Sequence, residues 1–135
     1  ADGLVHGAYV LADTEGTPDV IIMASGSEVS VALEAREALA GEGVKARVVS
    51  VPCLDWFEQQ DAEYREEVLP SAVKARVSVE AGIALPWYRY LGDAGRAVSI
   101  EHFGASAPGD FLFKEYGIDA DHVVAAAKES ITAAR

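Results

Sequence analysis

Four short stretches combine residue types that could do chemistry: Ser25-Gly26-Ser27-Glu28, Val51-Pro52-Cys53-Leu54-Asp55-Trp56, Glu80-Ala81-Gly82, and Glu101-His102 through Ala107-Pro108. The first places small residues and free N–H groups where a helix begins, an arrangement that can hold a phosphate or carboxylate. It lacks the extra glycines and the lysine of a Walker loop, and it equally satisfies a capping box in which Ser25 accepts an orphan helix N–H and Glu28 reaches back. The capping use is favoured. Cys53 becomes a nucleophile only beside a base or a positive helix end, and no partner is visible in the sequence. A lone cysteine at a strand end reads as a small hydrophobe.

Glu80, Glu101 and His102 supply acid, base and metal-ligand types. Adjacent strand residues point to opposite faces, so Glu101 and His102 do not both face one pocket from a regular strand. Structural roles are favoured here as well, with Ser25, Gly26, Ser27, Glu80 and His102 kept as the candidate anion or ligand set. Neither His6 nor His122 has an evident partner. Trp87, Tyr88 and Tyr90 form an aromatic cluster suited to packing or to a protein contact.

These turns must be positioned by something, and the hydrophobic pattern says what. Five apolar runs alternate with amphipathic stretches: 9–12, 20–24, 46–51, 75–80 and 97–101. Continuous apolar runs separated by helices are the mark of parallel strands buried on both faces. Thr14 to Pro18 is too brief for a crossover helix, so the first strand is expected to run antiparallel at an edge. The class is therefore α/β: three layers, a five-stranded mostly parallel sheet with one antiparallel edge strand, and helices on both faces. In such sheets ligands sit beyond the carboxyl ends of the strands, where the four stretches fall.

The first helix should start at Ser25, bury Val31, Ala32, Ala35, Ala38 and Leu39, and stop at Gly41 and Gly43. A shorter acidic helical stretch is expected over 54–69, an aromatic one over 86–92, and another over 110–116. In the last helix, capped by Asp119, Val123, Val124, Ala127, Ile131 and Ala134 share a face, which docks the C-terminal segment.

The 135 residues suit one domain, 1–135. A formal charge of −11 opposes nucleic acid and anionic membranes as partners. The apolar runs are too short to span a bilayer, and the acidic start is unlike a secretory signal. With a single cysteine, a reducing cytoplasmic location fits. Having no initiator Met, the chain is expected to be a processed or excised piece of something longer.

Taken in order, several segments resemble the C-terminal domain of transketolases: Gly7-Ala8-Tyr9-Val10-Leu11, Pro18 to Val29, Arg47 to Pro52, Val68-Leu69-Pro70, Glu80-Ala81-Gly82 and Phe103 to Pro108. The turn Gly26-Ser27-Glu28-Val29 is shared with deoxyxylulose-phosphate synthase and 2-oxoacid dehydrogenase beta subunits. The stretches 50–70 and 103–108 look specifically like transketolase. The resemblance implies a full-length cytoplasmic homodimer of the pentose phosphate pathway, a transferase that moves a two-carbon ketol unit between sugar phosphates. It implies thiamine diphosphate and a divalent cation, Mg or Ca, held by the N-terminal and middle domains of the same enzyme. This chain has no Gly-Asp-Gly motif with a following Asn pair. No catalytic, cofactor-binding or metal residue is therefore carried over, and the isolated domain is expected to be inactive. The resemblance implies a structural, dimer-assembly and regulatory role, with a small-anion-binding regulatory module as the alternative.

Overall fold

The computed structural model describes residues 7–26, 28–80, 88–92, 94–99 and 119–134. The strands are β1 (Tyr9–Ala12), β2 (Val20–Ala24), β3 (Ala46–Ser50), β4 (Arg76–Glu80) and β5 (Arg96–Ser99). They form one sheet in the order β1-β3-β2-β4-β5. β1 pairs antiparallel with β3, and the other pairs are parallel. The mixed sheet with an antiparallel edge is as the short Thr14–Pro18 connection requires. A register shift between Val10 and Ala12 bulges the edge strand, and Leu11 within it is 40% exposed.

Every residue of β2 is buried, because it is the central strand and both of its faces are covered. On one face α1 (Glu28–Ala40) and α5 (Ala120–Ala134) set Ala32, Ala35, Leu39, Val123 and Ala127 against Val20, Ile22, Val48, Val77 and Val79. On the other, α2 (Leu54–Glu58), α3 (Ala62–Val68) and α4 (Tyr88–Leu91) bring Phe57, Val68 and Leu91 against Ile21, Met23 and Val49. Alternation along each strand divides its side chains between the two cores. Burying a side chain such as Leu39 or Phe57 contributes about 1.5–3 kcal/mol each relative to leaving it in water.

Three details of the sequence-based expectation are corrected. Gly26 has φ +59°, a left-handed conformation that cannot be the first helical residue. α1 therefore starts later than Ser25, at Glu28, whose N–H donates to the Ser25 carbonyl at 3.2 Å. Ala38 is exposed, since the buried stripe runs 32, 35, 39 along the sheet side. The stretch 54–69 is two helices, not one, because Asp61 caps a new start by accepting the Tyr64 N–H at 2.8 Å.

The stop of α1 is as expected. Gly41 and Gly43 donate to Glu37 and Ala40, and the Val44 N–H returns to the Leu39 carbonyl at 2.9 Å. The helix expected over 110–116 lies outside the described residues.

Candidate functional site

Strand order reverses about β2: β3 lies on one side of it and β4 on the other. Ligand crevices of open parallel sheets form at such a reversal, outside the carboxyl ends of the strands. The last registered pair there is Ala24 with Val79, so Ser25 and Glu80 follow side by side. Ser25 is half-buried and Gly26 exposed. The crevice thus brings together Ser25, Gly26 and the backbone of Glu80; Ser27 and His102 lie outside the described residues, as do Glu101, Ala81 and Gly82.

Cys53 stands beside this end of the sheet in a backbone role. Its N–H donates to the Gly7 carbonyl at 3.0 Å, and its own carbonyl accepts from the Phe57 N–H at 3.2 Å to begin α2. Its side chain makes no capping bond. Among the described residues no three His, Cys, Asp or Glu side chains converge as metal ligands, and no helix is long and apolar enough to cross a membrane.

The aromatic cluster divides. Tyr90 packs on Phe57, with ring centroids 5.9 Å apart, and its hydroxyl lies 3.1 Å from Glu58 Oε1. It is a core neighbour and not an open platform; Trp87 lies outside the described residues. Among the described residues the exposed aromatic ring is Trp56, at 51%.

Cavities among the described residues open at the other end of the sheet, where the strands begin. One of about 400 Å³ lies between the start of β4 and the end of α5, lined by Ser71, Lys74, Arg76, Leu91 and Ala134. A smaller one of about 230 Å³ lies across Arg76, against Phe57, Arg65 and Glu66. Arginines organise this end. Arg47 donates to the carbonyls of Glu67 (3.0 Å) and Val68 (3.1 Å) and to Asp13 Oδ1 (2.9 Å).

Arg76 donates to Val73 (3.0 Å), Tyr90 (2.7 Å), Leu69 (3.3 Å) and Pro70 (3.0 Å). The last carbonyls of a helix have no partner within it, and two guanidiniums supply those partners for α3 and the turn behind it. Burial pushes the pKa of Arg76 below the ordinary arginine value, and the charge of Glu66 works the other way. It stays protonated.

Sequence reasoning missed this arginine end. Arg47 and Arg76 each interrupt an apolar run, which was the available signal. It also missed the partner of His122: the His122 N–H donates to Asp119 Oδ1 at 3.0 Å, and Nδ1 lies 2.7 Å from the same oxygen.

Comparison with known proteins accords with this architecture. Residues 7–119 match the family described as the transketolase-like TK C-terminal domain. Transketolase 1 of Escherichia coli (strain K12) is 56% identical over 126 residues, covering 93% of this chain and 19% of its own length. The transketolase structure from Leishmania mexicana superposes with a TM-score of 0.85 at 42% identity, covering 97% of this chain and 19% of that one. A structure described as a split gene transketolase, inactive beta4 tetramer, gives a TM-score of 0.74 at 26% identity and covers 97% of this chain and 44% of that one. The chain spans about a fifth of the length of the curated relatives it matches. With the family match running from Gly7 to Asp119 and over half the residues identical to a transketolase across 93% of the chain, the chain belongs to the transketolase C-terminal domain family.

Proposed function

We propose that residues 1–135 form one domain that completes a transketolase subunit and carries none of its chemistry. The observation that supports this most is the extent of the match: nearly all of this chain corresponds to about a fifth of each relative. A protein that transfers a ketol unit has to place its other groups in the remaining four-fifths. The split-gene relative, over twice this length and described as inactive, is in keeping with that division.

In the full enzyme, thiamine diphosphate and a divalent cation belong to the N-terminal and middle domains, and the unit transferred is a two-carbon ketol between sugar phosphates in the cytoplasmic pentose phosphate pathway. Assembly as a homodimer fits the same reading. The relatives above half identity are transketolases, which favours this family over deoxyxylulose-phosphate synthase or a 2-oxoacid dehydrogenase. At the strand-end crevice, the Ser25–Gly26 turn serves to start α1.

The test is reconstitution. The pure 135-residue chain, supplied with thiamine diphosphate, magnesium and xylulose 5-phosphate with ribose 5-phosphate, should show no turnover. Adding a polypeptide that carries the two preceding domains of a relative should restore it. Turnover by the chain alone would overturn the proposal.

A further inference from the structure

We propose that the cavity of about 400 Å³ between the start of β4 and the last turn of α5 binds a small organic anion, held at its head by Arg76 and Lys74. A guanidinium has five N–H donors. Four are taken by the carbonyls of Val73, Tyr90, Leu69 and Pro70. One hydrogen on Nη1 is left without an acceptor among the described residues. Carbonyls orient the group without neutralising it, and the charge of Glu66 acts on it without forming an ion pair.

Three other cations pair directly: Arg47 with Asp13, Arg96 with Glu129, Lys128 with Glu42. Neither Arg76 nor Lys74 makes an ion pair among the described residues, in a chain with twice as many acidic as basic groups. A charge drawn part-way out of water and left unpaired is the condition that an incoming anion relieves.

The rest of the lining sets the class of ligand. Leu91, Ala94, Ala133 and Ala134 give the cavity an apolar wall. Its volume falls in the range that holds small ligands, and sites of this kind combine apolar walls with a few polar anchors. An anionic head with a body of a few carbons, a carboxylate or a phosphate ester, matches that lining.

Two features oppose the anion. The C-terminal end of α5 carries roughly half a negative charge, against two full positive ones. Glu66 faces Arg76 electrostatically, but it is exposed and already held by the Ser71 N–H (2.8 Å) and Oγ (3.0 Å). Asp93, between two lining residues in sequence, lies outside the described residues.

Amide shifts of the 135-residue chain titrated with glycerol 3-phosphate, butyrate or inorganic phosphate test this. Saturable shifts at Lys74, Gly92, Ala94 and Ala133, with a Kd of about 1 mM or tighter, are expected for at least one organic probe. Whichever organic probe binds more tightly identifies the head group. Lys74→Glu, which leaves the Arg76 clamp intact, should weaken binding about tenfold, and Ala134→Phe should abolish it by filling the cavity. Arg76→Ala risks the fold and is not needed. Linear, unsaturating shifts, shifts confined to Ser25 and Gly26, unchanged affinity in Lys74→Glu, or inorganic phosphate matching both organic probes would each overturn the proposal.

Discussion

Ser130 Oγ accepts the backbone N–H of Arg76 at 2.9 Å and donates to the carbonyl of Ala94 at 2.6 Å, tying α5 to the start of β4 and the approach to β5. The residue is fully buried on an otherwise apolar helix face. Ser130→Ala removes one hydroxyl and leaves a donor and an acceptor unsatisfied in the interior. The expected loss is about 1–3 kcal/mol, read as a lower urea midpoint at unchanged slope.

Gly7 has φ +82°, and a Cβ there would run into the Cys53 carbonyl, the Phe57 nitrogen and the Trp56 side chain. Two costs add: the left-handed backbone, and a close approach to atoms that cannot move aside. Gly7→Ala should destabilise by about 2–4 kcal/mol, measured by thermal or urea unfolding. Ala introduced at Gly16, also at positive φ but with open space around it, should cost less.

Neighbouring aromatics of α2 should behave oppositely. Phe57 is buried against Tyr64 and Tyr90, with centroids 6.3 and 5.9 Å away. Phe57→Ala should cost about 3–5 kcal/mol through lost burial and the cavity left behind. Trp56→Ala should change stability by no more than about 0.5 kcal/mol, because half of that side chain is already in water. Comparing unfolding of the two variants checks the assignment of faces.

Asp119 caps the start of α5, and its carboxyl is held below the ordinary aspartate value because the His122 backbone N–H, then its ring, hydrogen-bond the charged form. A folded pKa below the unfolded one gives stability that is present above the unfolded value and lost as pH falls through the folded one. Asp119→Ala should therefore cost about 0.5–2 kcal/mol near neutral pH, with the deficit shrinking once pH drops below 3.8. Urea unfolding of both proteins across that range is the measurement.

Much of the fold was legible because it rests on periodicity. Val20-Ile21-Ile22-Met23-Ala24 cannot hide five consecutive apolar residues except inside a sheet covered on both sides, and that is where β2 lies. The short Thr14–Pro18 connection compelled β1 to run antiparallel. Asp119 was readable as a cap from its place before an apolar stripe. Local backbone conformation was less legible: only the positive φ of Gly26 shows that α1 begins after that residue, at Glu28.

The sequence by itself determined the α/β class, the alternation of strands and helices, and the ordered motifs that mark the family, because these follow from side-chain period and local order along the chain. Tertiary structure alone decided which polar groups meet. Arg76 and Ser130 are 54 positions apart, and Arg76 reaches the turn behind α3 and the carbonyl of Tyr90 only because helices and strands converge at the amino ends of the sheet. No spacing in a sequence encodes such a meeting. It follows from the packing of α3, α4 and α5 around the start of β4, where a partly buried guanidinium must find acceptors and takes carbonyls at helix ends and turns.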